Sequence, residues 1–260
     1  MGYSSLEEFL ATGVFIFMLV FVRIGTAMML LPTFGDATTP TQIKVMVALG
    51  LSLVMFPALK AYMPATVPPT PQFLMLLVSE FMIGFFIGTV GRTLMSALDT
   101  AGMIVSMQSS LANAQIFNPM FASQGSIFGT FFGVAGVILL FATQLHHLLI
   151  AGITESYYYF PVGEMPLTSD MMQMLVRVIG GSFVVAIQMT APFLIVIMML
   201  YVGMGVLARL MPQLQIFMII MPAQILLSFF ILLGTTGALL TWWLTYFEDA
   251  MTFFLKTLER

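Results

Sequence analysis

The stretch Met171-Met-Gln-Met-Leu-Val-Arg177-Val-Ile-Gly-Gly-Ser-Phe-Val-Val-Ala-Ile-Gln-Met-Thr-Ala-Pro192-Phe-Leu-Ile-Val-Ile-Met-Met-Leu-Tyr-Val-Gly-Met-Gly205-Val-Leu-Ala-Arg209-Leu210 decides the fold class. No charged residue lies between Arg177 and Arg209. A helix needs only about 20 apolar residues to cross a bilayer, so this run exceeds one span. Strands are usually shorter than about 10 residues, so a run of this length reads as helix.

Five more apolar runs accompany it, at about Phe9–Leu31, Ile43–Tyr62, Phe73–Met107, Ser126–Ile153 and Ile216–Phe247. Breakers separate them. Pro32-Thr-Phe-Gly-Asp36 and Pro40 follow the first, and Met63-Pro64-Ala-Thr-Val-Pro68-Pro69-Thr-Pro71 follows the second. Proline lacks the amide donor a continuing helix needs. The expectation is an all-α, integral-membrane-type protein of helical hairpins, with about six long helices. Those carrying Pro192 and Pro222 tilt, kink or leave the lipid, because they are longer than a bilayer requires.

Composition narrows the function classes. Only 7% of the 260 residues are charged and 60% are hydrophobic, with a mean hydropathy of +1.06. Soluble domains carry about a quarter charged residues, so this chain hides apolar surface in lipid, in other subunits, or in both. The net charge of −3 and the lack of a basic run argue against a nucleic-acid footprint. Without cysteine there is no disulfide and no thiolate metal site. Glu7 and Glu8, with no Lys or Arg, precede the first apolar run, which is read as a retained helix and not a cleavable signal. The eight basic residues are scattered and set no orientation.

Several charges sit in or beside apolar runs: Arg23, Glu80, Arg92, Asp99, Arg177 and Arg209. Either they pair with one another or snorkel at helix ends, or they face a protein-lined interior. Glu80 alone is too little for a proton relay. Gly84 and Gly88, and likewise Gly125, Gly129 and Gly133, recur every four residues, with Gly136 following. That spacing lines one helix face with small residues and permits close packing. His146-His147 lacks HxxxH spacing, so it is read as a hydrogen-bonded interfacial pair and not a metal site. No nucleophile motif, phosphate loop or dinucleotide fingerprint occurs, and the chain is read as a non-enzyme without cofactor. The 25 methionines fill helix interfaces or form a deformable contact surface.

Between the third and fourth runs lies an uncharged, amide-rich stretch, Gln108-Ser-Ser-Leu-Ala-Asn-Ala-Gln-Ile-Phe-Asn-Pro-Met-Phe-Ala-Ser-Gln124. Leu111, Ile116, Phe117, Met120 and Phe121 are costly to leave in water, at about 1.5–3 kcal/mol each. Asn113, Asn118 and the serines hydrogen-bond without fixed charge. The mixture suits a plug: Met107, Gln108, Leu111, Asn113, Ile116, Phe117, Asn118, Pro119, Met120 and Phe121 are its candidate residues.

Four blocks, taken in order, carry a resemblance. They are Arg23-Ile-Gly with Leu31-Pro-Thr-Phe-Gly35 and Pro40-Thr-Gln-Ile-Lys44; Glu80 with Gly84 and Gly88, then Ala101-Gly102 and Gln108; His146-His147-Leu-Leu-Ile150 with Ser156 and Phe160-Pro-Val-Gly163; and Gly205-Val-Leu-Ala-Arg209-Leu-Met-Pro212-Gln213-Leu-Gln-Ile-Phe217 with Pro222. Over nearly its whole length the chain resembles the flagellar branch of the FliR/SctT family of type III secretion export-apparatus proteins. The Arg209-x-x-Pro212-Gln213 block is the most specific part. The chain has Asn118-Pro119 where the family commonly has Asp-Pro, and Gln215 where it has Asn, so a role resting on the acid's charge is not carried over to Asn118.

The resemblance implies a subunit of the export gate at the flagellar basal body, multi-pass in the bacterial inner membrane. It implies FliP, FliQ and FlhB as neighbours, with FlhA a further one, and unfolded flagellar proteins as cargo. It implies a FliP-like portion over 1–170, with the plug at about 107–124, and a FliQ-like hairpin over 171–260. Arg23, Glu80, Gly84, Gly88, Arg92, Asp99, Gly129, Gly133, Arg209, Pro212, Gln213 and Pro222 are the candidate assembly residues. A small secondary transporter is the rival reading, since embedded charges and broken helices suit it too; the absence of internal duplication counts against it.

Overall fold

Seven α-helices organise the described residues of the computed structural model, which are 6–32, 34–35, 39–64, 66–112, 126–163, 168–211 and 216–258. They are α1 (Leu6–Leu30), α2 (Thr41–Leu59), α3 (Thr70–Gln108), α4 (Ile127–Ala142), α5 (Leu145–Tyr159), α6 (Thr168–Leu210) and α7 (Ile216–Leu258). No strand occurs among the described residues. The protein is all-α, as the apolar runs require.

The breakers set the helix ends. Pro40 caps α2 in an extended conformation (φ −56°, ψ 137°). Pro57 lies inside the last turn of α2, which tightens into a 3-10 turn over Lys60–Tyr62. Pro68 and Pro69 precede α3, and the Pro69 carbonyl accepts from the amides of Gln72 and Phe73. Pro71 falls in the first turn of α3, where a missing N–H costs nothing.

Among the described residues five helices are long and apolar enough to cross a membrane, and six spans result if α4 and α5 count as one bent span. This is a multi-pass membrane protein by length and composition. At 39 residues α3 is about 58 Å long, and at 43 residues α6 and α7 are each about 65 Å. All three exceed a hydrocarbon core of about 30 Å.

The fourth apolar run differs from its expectation as one segment. It breaks at Thr143-Gln144, and the chain bends there by 77°. Gln144 takes a left-handed conformation (φ 61°), and its amide bonds the Phe141 carbonyl at 3.1 Å. The polar Thr143-Gln144 pair inside an apolar run is the sequence signal for this break. Helix α5 then continues to Tyr159, past the expected end at Ile153.

The chain forms two compact units, passing between them inside α3, α4, α6 and α7. One comprises 1–93, 140–178 and 248–260. Its core joins α1 residues such as Ile16, Val20, Ile24 and Met28 to Ile83, Phe86 and Val90 of α3 and to Leu149 and Ile153 of α5, all buried. The α3 and α1 sets recur every three or four residues, the spacing of a single buried face. Rings of Phe15 and Phe73 lie 5.5 Å apart, and those of Phe17 and Phe56 6.3 Å. The other unit comprises 94–139 and 179–247. Val105, Phe128 and Phe193 form its buried centre, with Ile231, Leu232 and Leu239 packed on it. The Trp243 indole N–H donates to the Leu94 carbonyl at 3.3 Å, fixing α7 on α3. These units group residues by packing within one chain, whereas 1–170 and 171–260 divide it by resemblance.

Candidate functional site

In the first unit Arg23 is fully buried in an apolar core, so its charge must be met on the spot. Its Nε donates to Glu80 Oε2 at 2.6 Å and its Nη2 to Oε1 at 2.9 Å, the two-pronged geometry carboxylates favour. Nη1 donates to the Ser156 carbonyl and hydroxyl at 3.1 and 3.3 Å, and Nη2 also to the Phe160 carbonyl at 2.9 Å. Every guanidinium N–H is thereby used. The Tyr157 ring lies 4.0 Å from Cζ, a cation–π contact. Its hydroxyl is buried with no hydrogen-bond partner among the described residues.

The arrangement locks three helices. Arg23 comes from α1, Glu80 from α3, and Ser156 and Phe160 close the C-terminus of α5. Free carbonyls and the negative end of the helix dipole gather there, so a cation serves as a cap. Of the charges in apolar runs, Arg23 and Glu80 take the pairing alternative. Arg92, Arg177 and Arg209 are exposed. The sequence block containing Ser156 and Phe160 held half of this site, yet a backbone carbonyl leaves no residue-type signal.

The Gly84 and Gly88 face packs on α1. A Cβ at Gly84 would strike Thr26 Oγ1 and the Arg23 carbonyl; at Gly88 it would lie 2.6 Å from Leu30 Cβ and 2.9 Å from the Ala27 carbonyl. Helix α3 therefore approaches α1 closely enough for Glu80, one turn before Gly84, to reach Arg23. In the second unit the Gly129 and Gly133 face meets α3. A Cβ at Gly102 would strike the Gly129 backbone, and one at Gly129 would lie 3.3 Å from the Asp99 carbonyl. At Gly133 the neighbour is only Asp99 Oδ1, at 3.1 Å.

The base of the amide-rich stretch also lies in the second unit. After α3 ends, the Ser109 amide bonds the Val105 carbonyl at 2.9 Å and the Ala112 amide the Ser106 carbonyl at 3.1 Å. Leu111 turns inward onto Val105, Phe128 and Phe193, while Met107 stays exposed and Gln108 half-buried. Ser110 has a left-handed backbone (φ 61°), and its hydroxyl donates to Gln224 Oε1 of α7. Among the described residues Gln224 Nε2 and Ser228 Oγ are buried without partners. Sequence reasoning singled out Met107, Gln108 and Leu111 but missed Gln224 and Ser228, one turn apart in the run that follows Pro222. Asn113, Ile116, Phe117, Asn118, Pro119, Met120 and Phe121 lie outside the described residues, as do Pro212 and Gln213. Pro222 sits exposed in the second turn of α7.

The histidine pair differs from expectation. The rings of His146 and His147 lie 4.1 Å apart at 39°, and His146 lies 5.0 Å from the Phe141 ring. His146 Nδ1 is buried without a hydrogen bond. Packing of His146 on Phe141, across the break at Gln144, replaces the expected polar contact at that nitrogen.

Over-long apolar helices, a saturated ion pair and close glycine faces define a multi-pass membrane protein of tightly packed helices. Residues 14–250 match the bacterial export proteins, family 1, and the chain belongs to that family. It is 34% identical over 237 residues to flagellar biosynthetic protein FliR of Caulobacter vibrioides, covering 89% of this chain and 93% of that one. Flagellar biosynthetic protein FliR of Bacillus subtilis is 26% identical, covering 84% of each chain. Yop proteins translocation protein T of Yersinia pestis is 27% identical, covering 67% of each. The likeness therefore spans both the flagellar and the translocation branches of the FliR/SctT family.

Proposed function

We propose that this chain is a core subunit of a flagellar type III export gate in the bacterial inner membrane, forming with FliP and FliQ a closed passage for unfolded flagellar proteins. FlhB meets its entrance, with FlhA a further neighbour. Family membership over 14–250 carries the reading. Physical support comes from the apolar surface this chain leaves uncovered. Met46 and Val54 on α2, Met198 and Leu210 on α6, and Leu233 on α7 are all exposed, on helices longer than lipid needs.

The stretch at 107–124 is the proposed plug. Its anchored base supports that role: Leu111 and Ser110 fix the point where the stretch leaves α3. Unfolded cargo varies in sequence, so a seal of Met, Asn, Gln and Ser binds no single cargo strongly. Deleting about Ser110 to Ala122 leaves the complex assembled and raises ion conductance in cells that make it with its partners. An assembled complex without added leak refutes the plug.

The rival reading, a small secondary transporter, draws on the bent α4–α5 span. The saturated Arg23–Glu80 pair speaks against it, because no free carboxylate is left there to exchange a coupling ion. Native mass spectrometry separates the two. A gate subunit emerges with FliP and FliQ; a transporter emerges alone or as a small homo-oligomer.

A further inference from the structure

We propose that the turn Ser109–Ala112 is a two-position catch: Ser110 holds Gln224 in the arrangement seen, and Ser228 takes the place of Ser110 on Gln224 when the turn lets go. The inference concerns the turn itself and stands apart from whether the stretch beyond it blocks a passage.

Three observations in the second unit oppose one another. Ser110 is a non-glycine residue with φ 61°, a conformation in which Cβ crowds the backbone. Its hydroxyl donates to Gln224 Oε1, but Gln224 Nε2 finds no acceptor. Turning the amide over exchanges which end is idle and fills neither more than before. Ser228 Oγ, also buried, has no partner among the described residues. Gln224 is 1% and Ser228 0% exposed, so water does not make up the loss. Each idle buried group weakens this arrangement by a factor on the order of ten.

Against these stand the burial of Leu111 on Val105, Phe128 and Phe193 and the amide bonds of Ser109, Ser110 and Ala112. The turn is thus held by packing and opposed by its polar groups. Letting go gives up the turn's amide bonds but loses no hydrogen bond at Gln224, where one hydroxyl replaces another. Gln224 and Ser228 are four apart on α7, the separation at which two side chains on one helix meet. The Ser228 hydroxyl then donates to Gln224 Oε1, which Ser110 has vacated. Ser110 relaxes to an ordinary backbone conformation.

Local opening of this kind is read by hydrogen–deuterium exchange of the Ser109, Ser110 and Ala112 amides, on the full-length chain purified with the subunits that accompany it. Ser228→Ala removes both an idle hydroxyl and the rival partner, and slows exchange in the 105–112 peptide by about tenfold. Ser110→Ala removes the catch and speeds exchange there by about tenfold. Equal exchange in Ser228→Ala and the parent overturns the proposal, as does equal slowing across α4, which signals general stiffening. If Ser110→Ala is not recovered folded, Ser228→Ala, a small loss of volume, decides alone.

Discussion

At the scale of single residues, Arg23 and Glu80 illustrate how a charge survives in an apolar core. The carboxylate, two backbone carbonyls, a hydroxyl and an aromatic face surround the guanidinium. Removing one partner leaves the other buried and unpaired, at a cost of about 3–5 kcal/mol. Arg23→Ala and Glu80→Ala are each expected to abolish recovery of the folded complex, or to lower its thermal midpoint strongly. Arg23→Met combined with Glu80→Leu is expected to recover part of the loss, because the desolvated charge is gone. Recovery stays incomplete, since the Phe160 carbonyl loses its donor. A thermal-shift series on the purified complex checks this, and a double variant as poor as either single one contradicts it. Arg23→Lys is not conservative here, as an ammonium cannot match the two-pronged geometry.

At the scale of elements, the glycine faces separate into hard and soft contacts. At Gly102 an added methyl meets the Gly129 backbone, which cannot step aside. At Gly133 it meets one carboxylate oxygen of Asp99, at the end of a movable side chain. Gly102→Ala is expected to cost the complex several-fold in yield, while Gly133→Ala is near neutral. Equal yields from the two variants would refute this ranking.

How far the sequence discloses the architecture differs from helix to helix. The apolar runs mark α1, α2, α3 and α6 to within a few residues, because prolines and length leave little choice; α7 begins at Ile216 as expected but continues through the charged Glu248-Asp249 past the expected Phe247 to Leu258. The α4–α5 break escaped, since its signal is only the two polar residues Thr143-Gln144 in a long apolar run, and the left-handed conformation of Gln144 carries no residue-type mark. Arg23 and Glu80 stood out as charges in apolar runs, but their pairing depends on the close approach of α1 and α3. Gln224 and Ser228 carried no signal, because a polar residue in a long apolar run reads alike whether it lines a surface or is buried without a partner.

At the scale of the whole molecule, exposed apolar side chains run along α2, α6 and α7. In water such area costs about 25 cal/mol per Å². Expressed without FliP and FliQ, the chain is expected to aggregate or be degraded; a monodisperse monomer in mild detergent would contradict this. Gly50, Gly203, Gly205, Gly234 and Gly237 give a finer test. A Cβ on any of them meets nothing within 4 Å among the described residues of this chain. Alanine there is expected to favour the isolated helix by about 0.5–1 kcal/mol. Where the face is pressed against a partner, it should reduce co-purification of FliP or FliQ instead. Co-purification that is unchanged for all five would show that none of these faces is a tight contact.

The Arg23 hub also has a calendar. Its acceptors emerge from the ribosome late: Glu80 follows Arg23 by 57 positions and Ser156 by 133. At about 5–20 residues per second, the arginine waits roughly 3–11 s for its carboxylate and roughly 7–27 s for the end of α5. Through that interval the apolar run of α1 carries an unmatched cation, a burden of about 2.5–3.5 kcal/mol if it is left at mid-bilayer. Insertion of the first helix is therefore expected to stay provisional until the third is made. Pulling-force profiles of arrested nascent chains should show a distinct step as Glu80 enters the membrane, and Glu80→Gln should blunt it; identical profiles would mean that α1 settles on its own.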